Sequence, residues 1–393
     1  MSSTEPTEKK ISRWEWLPFA AVLVLAAGYF ALGDGGSGQY FCLFVGLGLL
    51  PGCLWRLLGN SSWSVHRIGF AAGLVVYVLD NPSLWPGTAV LERISQAWPL
   101  VLVGIVVAAT QPLWGALRLV RLMHDSGLSM SFYETLKLCL SGNFFNIFLP
   151  GATGGDLYRL YAITRGDKRK FAPALASITL DRFLGLPPLV FLVFIAAFLD
   201  KELAFRHEKL SGLLTFVAVA AAFCLILMLV IWLGRKKDTD SAKTGIMGKL
   251  HRVHRLLSVG ISRTWTLPAG LWWGLLSHAA VVVACCLFGT AVGVQGIPPL
   301  QYFLLVPLAM CINAIPGAPG GVGQGEIAMA ALFELASPGH GNSQAGVAVM
   351  LLLRIANILV GLAGGAFYAT GKIDLREVEY RTAEVGGQSD NAS

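Results

Sequence analysis

Long apolar runs separated by short polar segments dominate the chain. Eight of these runs have the roughly 20 mostly apolar residues that a membrane-spanning helix needs. They occupy residues 16–33, 40–58, 68–85, 99–122, 172–199, 210–234, 265–294 and 345–370. The third run is the weakest of them, because Asp80 lies near its outer end. The pattern therefore predicts an all-α polytopic membrane protein with about eight transmembrane helices.

Two further apolar stretches, residues 132–160 and 300–335, are broken in the middle by proline and glycine. Lysine and arginine concentrate on the cytoplasmic side of membrane proteins. Basic clusters at 118–121 and 165–170 flank the first stretch, so it should enter the membrane and return on the same side. The basic segment 235–263, together with Lys372, Arg376 and Arg381 after the last run, places the second stretch at the opposite face. We expect two re-entrant helical hairpins that enter from opposite faces, in an inverted repeat.

The charge pattern also gives the orientation and the domain limits. We expect three crossings in residues 1–98, a core transmembrane domain in residues 99–371 and a tail in residues 372–393. The polar N-terminus contains Lys9 and Lys10, and no convincing cleavage site follows the first apolar run. Both termini are therefore predicted to be cytoplasmic.

The two broken stretches share a sequence. The segments that begin at Pro150 and Pro316 agree at five of six positions, with a constant offset of 166 residues, and Asn146 and Asn313 precede them. Paired glycine- and proline-broken segments in two halves of a chain indicate a transporter-like site near the membrane midplane. The predicted tip residues are Pro150, Gly151, Gly154, Gly155, Pro316, Gly317, Gly320 and Gly321.

Composition supports a membrane protein and excludes several other classes. Of the 393 residues, 55% are hydrophobic and only 13% are charged, about half the usual charged share of a soluble domain. A soluble enzyme, a disordered chain and a nucleic-acid-binding domain are therefore disfavoured, despite the net charge of +7. The seven cysteines form no C-x-x-C pair and there is no P-loop, so we expect no metal site, no cofactor and no nucleic-acid partner.

Charged residues lie close to both predicted tips and inside two of the predicted crossings. An ionisable group at such depth costs at least a few kcal/mol and usually faces a polar cavity. Arginine also binds phosphate in a bidentate manner. The predicted head-group-binding residues are Asn146, Asp156, Arg159, Asp181, Arg182, Asn313, Glu326 and Arg354. The alternative is that these residues form internal salt bridges that orient the helices.

The motifs around the tips resemble a known family. Asn146 and Pro150, followed by Gly155-Asp156 and Arg159, are similar to the N-x-x-x-P and G-D-x-x-R signature of the lysylphosphatidylglycerol synthase transmembrane, or flippase-like, family. Residues 316–326 look like its P-G-G-x-G-x-x-E element. Arg182 and Arg354 fall where that family carries Asp-Arg and Arg in the helices after each motif. The resemblance covers about residues 100–370 and is less clear before them.

This resemblance implies a bacterial or archaeal inner-membrane protein that handles lipid head groups. In the best-known members of this family the domain is associated with moving aminoacylated phosphatidylglycerol between leaflets, and those members also carry a cytosolic aminoacyl-transferase domain. The loop 235–263 and the tail are too short for such a domain, so we expect no synthase activity.

Three functions therefore remain open. The chain could bind and translocate an anionic or aminoacylated phospholipid, or a lipid-linked substrate. It could be an accessory subunit of a separately encoded lipid-modifying enzyme. It could also be a membrane-embedded lipid transferase that uses Asp156 or Glu326 as a base.

Overall fold

A computed structural model describes most of the chain. It covers residues 17–32, 37–57, 63–82, 84–148, 154–165, 167–234, 266–315, 321–369 and 379–380. Within these ranges the helices are α1 (Leu17–Leu32), α2 (Ser37–Leu57), α3 (Trp63–Asp80), α4 (Thr88–Gln96), α5 (Trp98–Ala109), α6 (Gln111–Asp125), α7 (Phe132–Phe148), α8 (Gly154–Thr164), α9 (Lys168–Leu199), α10 (Lys201–Arg206), α11 (Glu208–Gly234), α12 (Thr266–Val292), α13 (Pro299–Asn313), α14 (Gln324–Ala336) and α15 (Asn342–Ala369). The strands β1 (Leu128–Ser129) and β2 (Glu379–Tyr380) complete the secondary structure.

Capping side chains explain where several of these helices begin. Ser131 and Glu134 form a reciprocal capping box before α7. The Glu134 carboxylate accepts the Ser131 N–H at 2.8 Å, and the Ser131 hydroxyl accepts the Glu134 N–H at 3.3 Å. Asp167 and Asp200 accept backbone N–H groups in the first turns of α9 and α10, each at 3.0 Å. Side-chain oxygens thus satisfy donors that a helix start leaves free.

Four helical stretches in the described part of the chain are long and apolar enough to cross a membrane. They are Trp98–Asp125, Lys168–Leu199, Thr266–Val292 and Asn342–Ala369. The first joins α5 and α6 through Thr110. Shorter apolar helices lie at Ala20–Tyr29, Gly69–Asp80 and Pro299–Asn313. The predicted all-α membrane class is confirmed, whereas the count of eight crossings stays a prediction.

Contacts between distant segments define one end of the bundle, here called end A. The Thr266 hydroxyl at the start of α12 donates a hydrogen bond to Asp125 at the end of α6. Residues 128–129, between α6 and α7, pair in antiparallel fashion with residues 379–380, which follow α15. End A therefore holds the α6–α7 turn, the start of α12 and the segment after α15.

The opposite end, here called end B, is defined in the same way. The Gln301 amide in the first turn of α13 donates to Asp200, which follows α9, at 2.8 Å. The Asn342 amide at the start of α15 donates to the carbonyl of Gln295, which follows α12, at 2.9 Å. Helices α9 and α12 therefore run from end A to end B, and α15 runs back from B to A.

The first helix pair, α7 and α8, begins and ends at end A. The two helices are antiparallel, because Asn146 contacts Gly155 near the break and Gly142, farther from it, contacts Arg159. Helix α7 packs against the second half of α15, where Gly364 lies directly on the α7 backbone. The break between α7 and α8 therefore points into the bundle from end A.

The second helix pair, α13 and α14, begins and ends at end B. It is also antiparallel: Gln324 donates to the carbonyl of Ile312 beside the break, and the Tyr302 and Phe333 rings meet 5.3 Å apart at the far end. Helix α14 packs against the first half of α15, where Gly346 lies on the α14 backbone. The two pairs thus approach the middle of α15 from opposite ends.

Helix α12 lies at the centre of this arrangement. It packs against α5, α6, α9, α13 and α15. Its Phe288 is fully buried and faces Gly104 of α5, where a side chain would meet the phenyl ring. Close-packed interiors tolerate little added volume, so glycine at this crossing lets the two helices approach.

The glycine contacts between α7 and α15 generate a stability prediction. A methyl group added by Gly364→Ala would collide with the backbone oxygen of Leu140, and this contact cannot be relieved by a side-chain rotation. We expect a loss of about 1–3 kcal/mol, typical of overpacking, measured as a lower melting temperature in detergent. The matched control is Gly115→Ala in α6, where no atom lies within 4 Å of the added methyl. Equal melting temperatures for the two variants would contradict this packing.

Candidate functional site

In the first helix pair, a polar side chain at the end of α7 binds the start of α8 across the break between them. Helix α7 ends at Phe148 and α8 begins at Gly154. The Asn146 side-chain oxygen accepts the Gly155 N–H at 2.8 Å, which satisfies one of the free donors at the start of α8. A side chain at Gly155 would collide with the carbonyl of Gly142 and with Asn146, so this approach requires glycine.

Asp156, the third residue of α8, binds two arginines. Arg182 of α9 donates to both of its carboxylate oxygens, from Nε at 2.9 Å and from Nη2 at 2.7 Å. Arg159 donates from Nη1 at the longer distance of 3.4 Å. Planar bidentate pairs of the first kind are among the strong charge-assisted hydrogen bonds.

The two arginines differ in their exposure. The Arg182 side chain is 53% exposed, whereas Arg159 is buried. Arg159 also reaches the Cys139 carbonyl at 3.4 Å, and its Nε has no hydrogen-bond partner. This group of one carboxylate and two guanidinium groups therefore carries an excess positive charge and an unused donor.

The second helix pair has a related construction around its break. Asn313, the last residue of α13, places its side-chain oxygen against Gly321 and Gly325, and this buried oxygen has no hydrogen-bond partner. Gly321 has a φ of +67°, which L-residues with side chains rarely adopt. The Gln324 amide donates to the carbonyls of Ile312 and Ile315, so it caps the end of α13.

Glu326 is the third residue of α14, and it is held by one arginine of α15. Arg354 donates to both carboxylate oxygens, from Nε at 2.6 Å and from Nη2 at 3.0 Å. Nη2 also donates to the Gly321 carbonyl at 3.2 Å, which joins the ion pair to the break itself. The Glu326 side chain is 4% exposed and that of Arg354 is 20% exposed, so this pair is more enclosed than Asp156–Arg182.

The two ion pairs occupy matching positions. Each carboxylate is the third residue of a returning helix, directly after a glycine, and each arginine uses Nε and Nη2. Arg182 is the fifteenth of the 32 residues of α9, and Arg354 is the thirteenth of the 28 residues of α15. Both arginines therefore lie near the middle of a membrane-length helix.

This match differs from the register of the sequence repeat. The proline-glycine motifs align with an offset of 166 residues, which pairs Gly155 with Gly321. In the structure Gly155 corresponds to Gly325 and Asp156 to Glu326, an offset of 170 residues. The helix resumes four residues after Pro150 but eight residues after Pro316, so the motif alone misplaces the carboxylates.

Asp181 belongs to a different contact from its neighbour Arg182. It accepts a hydrogen bond from Nε of Arg118 in α6 at 2.6 Å, and both side chains are about nine-tenths buried. The sequence pattern suggested that Arg118 marks a cytoplasmic helix end, but the structure buries it between α6, α9 and α12. The signal that could have revealed this is its spacing, because Arg118 shares a helix face with Leu122, four residues on, which is fully buried.

The predicted site residues thus fall into two groups and one separate pair. Asn146, Gly155, Asp156, Arg159 and Arg182 come together, as do Asn313, Gly321, Glu326 and Arg354, whereas Asp181 pairs with Arg118. Gly154 begins α8. The tip residues Pro150, Gly151, Pro316, Gly317 and Gly320 lie outside the described residues.

Contacts along α15 and α9 indicate how close the two groups are. Ile147, near the end of α7, touches Gly361, and Arg354 holds Gly321 seven residues away on α15. At 1.5 Å per residue, Gly361 and Arg354 lie about 10 Å apart along the axis of α15. On α9, Arg182 binds the first group, and Ala314 beside the second group shares a cavity wall with residues 186–190. Both helix pairs therefore pack against the same two long helices, α9 and α15.

The chemistry of the two groups is that of anion recognition by guanidinium. Together with Arg118–Asp181 they contain four guanidinium groups and three carboxylates, an excess of one positive charge. Across the described ranges, no group of three histidine, cysteine, aspartate or glutamate side chains could hold a metal ion. Binding by paired arginines fits a phosphate or a carboxylate ligand.

The fold and these groups define a class, the multi-pass α-helical membrane protein with arginine–carboxylate pairs at two helix breaks. The chain belongs to the family described as the lysylphosphatidylglycerol synthase TM region, whose profile matches residues 64–365. It is 24% identical over 262 residues to a UPF0104 membrane protein of Methanothermobacter thermautotrophicus. That match covers 61% of this chain and 74% of the relative.

The family match begins earlier than the resemblance read from the motifs, which started near residue 100. It includes α3, and the structure gives a physical reason for this. Leu74 of α3 lies against Gly323 at the second break, and Tyr77 and Val78 pack with Ala330 of α14. Helix α3 therefore forms part of the surroundings of the second group.

The enclosed pair Glu326–Arg354 generates a prediction about stability. Glu326→Ala leaves the Arg354 guanidinium without its carboxylate, and we expect a loss of about 3 kcal/mol, as for other buried pairs that lose one partner. The double variant with Arg354→Ala should lose less than the sum of the two single variants. The measurement is a double-mutant cycle on the unfolding free energy in detergent.

The exposed pair Arg206–Glu202 in α10 provides the control for this cycle. Its members are four residues apart on a surface helix, so their coupling should be about 0.5 kcal/mol or less. Additive losses at Glu326 and Arg354, as small as those at the control pair, would show that the enclosed pair is not an energetic unit.

Proposed function

We propose that this protein binds the anionic head group of a membrane phospholipid at its arginine–carboxylate groups and moves the lipid between leaflets. The observation that carries the proposal is the matched placement of two bidentate pairs at two helix breaks. Half-helix starts at membrane depth supply free N–H groups and a positive dipole end, which favour an anion. The lipid tails would remain in the surrounding bilayer.

In this proposal the two helix pairs are re-entrant hairpins of an inverted repeat. Three features support it: the first pair begins and ends at end A, the second begins and ends at end B, and the two pairs pack against opposite halves of α15. Irregular backbone at membrane depth survives where protein or a water-filled cavity covers it. End A would face the cytoplasm, because Lys372, Arg376 and Arg381 follow α15 and the basic segment 235–263 precedes α12.

The first group is the more accessible of the two. Arg182 is half exposed, and Arg159 holds Asp156 only at 3.4 Å, so a phosphate could compete with Asp156 for these guanidinium donors. Exchange of a carboxylate for a phosphate on one guanidinium keeps the charge compensated throughout. In the second group, Arg354 joins its carboxylate to the Gly321 carbonyl, so the same exchange would act directly on the break.

The contacts of the carboxylates favour lipid binding over a lipid transferase. A general base must come within hydrogen-bond reach of the proton that it removes, and the bound arginines restrict that approach. Both oxygens of Asp156 and both oxygens of Glu326 accept hydrogen bonds from arginine. These groups are arranged to hold guanidinium groups, and lipid binding uses this arrangement directly.

The experiment is a translocation assay in proteoliposomes with a fluorescent anionic phospholipid. Arg182→Ala and Arg354→Ala should each slow movement by roughly tenfold or more, because a charge-assisted hydrogen bond contributes about 1.5–3 kcal/mol. Arg159→Ala should slow it as well. Arg206→Ala on the surface of α10 is the control and should transport as wild type does.

Two outcomes would decide against the proposal. Equal rates for Arg182→Ala, Arg354→Ala and wild type would remove these residues as carriers of the function. Absence of transport by the purified chain, with transport on addition of a co-purifying lipid-modifying enzyme, would instead support an accessory role. Rates of the purified chain alone that match those in native membranes would exclude the need for such a partner.

A further inference from the structure

An apolar cavity of about 700 Å³ lies between α9, α11, α12 and the end of α13. Sites for small ligands usually enclose about 300–1,000 Å³, so the space is large enough for one. We call it the apolar groove. Seventeen residues line it, and all are apolar, proline or cysteine. A groove of this composition offers hydrocarbon contacts and no partner for a charge.

The groove continues the stripe of α9 that begins with Arg182. Residues four apart on a helix share one face, and Leu186, Val190 and Phe194 line the groove at successive four-residue steps from Arg182. They extend about 18 Å from it along the helix. The apolar wall therefore begins one turn from Arg182, at Leu186, and winds by about 40° around α9 with each four-residue step.

The groove wall has a defined direction along α9. Helix α9 runs from end A to end B, so the wall leads from Arg182 toward end B, away from the end of the bundle at which α8 ends. The opposite wall includes Leu271 and Trp272 in the first part of α12, which also starts at end A. A phospholipid whose phosphate lies at Arg182 would direct its acyl chain along this path.

Two adjacent prolines of α9 form part of the groove wall. Pro187 and Pro188 lie inside α9, where their nitrogens cannot donate to the carbonyls of Phe183 and Leu184. The Pro188 ring faces Gly274 of α12, where a side chain would meet it. The prolines thus place apolar rings in the wall just beyond Arg182.

The geometry points to the apolar groove as the binding site for one acyl chain of the phospholipid whose head group is held at Arg182. This inference rests on the proposed function and assigns a second part of the ligand to specific residues. The groove sits among membrane-length helices, where the surrounding medium is hydrocarbon, and its inner end reaches Cys311 and Ala314 beside the second break. The chain would thereby link the two helix breaks.

The test uses photo-crosslinking in vesicles. The full-length protein is reconstituted with phosphatidylethanolamine, phosphatidylglycerol and a trace of phosphatidylglycerol that carries a diazirine in the middle of one chain. Mass spectrometry then compares adducts on residues 186–194 with adducts on Val219 and Phe223, which are exposed on α11. In wild type the groove should be labelled more strongly than this exposed face.

Two matched variants of α11 decide whether the label reports the groove. Ala221 lines it and its neighbour Ala222 does not. Ala221→Trp should fill the space and lower groove labelling by roughly tenfold, because a close-packed site has no room for both groups. Ala222→Trp introduces the same side chain on another face and should leave the labelling unchanged. Gel filtration of both variants checks that they fold.

Arg182→Ala separates this inference from the proposed function. A fall in groove labelling in both Arg182→Ala and Ala221→Trp supports one lipid bound through head group and chain. Labelling that falls only in Ala221→Trp overturns the link to Arg182. Transport that depends on Arg182, with no more label in the groove than on the exposed face, overturns the inference and leaves the proposed function intact. Specific labelling without any transport supports chain binding and contradicts translocation.

Discussion

A carboxylate inside a helical membrane protein must be neutralised where it lies, and this constraint organises the centre of the molecule. Each returning helix carries its carboxylate at the third position, and an arginine from the next long helix binds both oxygens. The pairs Asp156–Arg182 and Glu326–Arg354 therefore fix α8 on α9 and α14 on α15. The asparagines that precede the breaks and the glycines that follow them allow these contacts by keeping the backbones close.

The hydropathy pattern was sufficient to predict the class of fold and most of the helices. The breaks in residues 132–160 and 300–335 were predictable as well, since proline and glycine stop a helix wherever they cluster. The register of the second break was not, because four extra residues separate the motif from α14 and only the folded chain shows where the helix resumes. A repeated motif indicates that the two breaks are built alike, whereas the residue at which a helix starts depends on packing and capping.

The sequence indicated which residues gather near the breaks better than it indicated which residues form ion pairs with one another. Asp156, Arg159, Arg182, Glu326 and Arg354 come together beside the breaks, and their role in head-group binding stays a prediction, whereas nothing in the sequence paired Asp181 with Arg118. Partner choice between distant helices depends on which faces meet, and a single sequence does not specify those faces. The Asp181–Arg118 pair fits the alternative of an internal salt bridge. That alternative does not by itself account for the exposure of Arg182 or for the unpartnered Nε of Arg159.

Asp181 and Arg182 are consecutive residues, about 100° apart around α9, and they are bound to different helices. The first is fixed to α6 through Arg118 and the second to α8 through Asp156. Helix α9 consequently resists turning about its own axis, since a rotation that relaxes one contact stretches the other. For α8 to move relative to α6, one of these two ion pairs must break, and a ligand anion would then take the place of the lost carboxylate. Binding of the ligand and release of α8 from α9 would thus occur together.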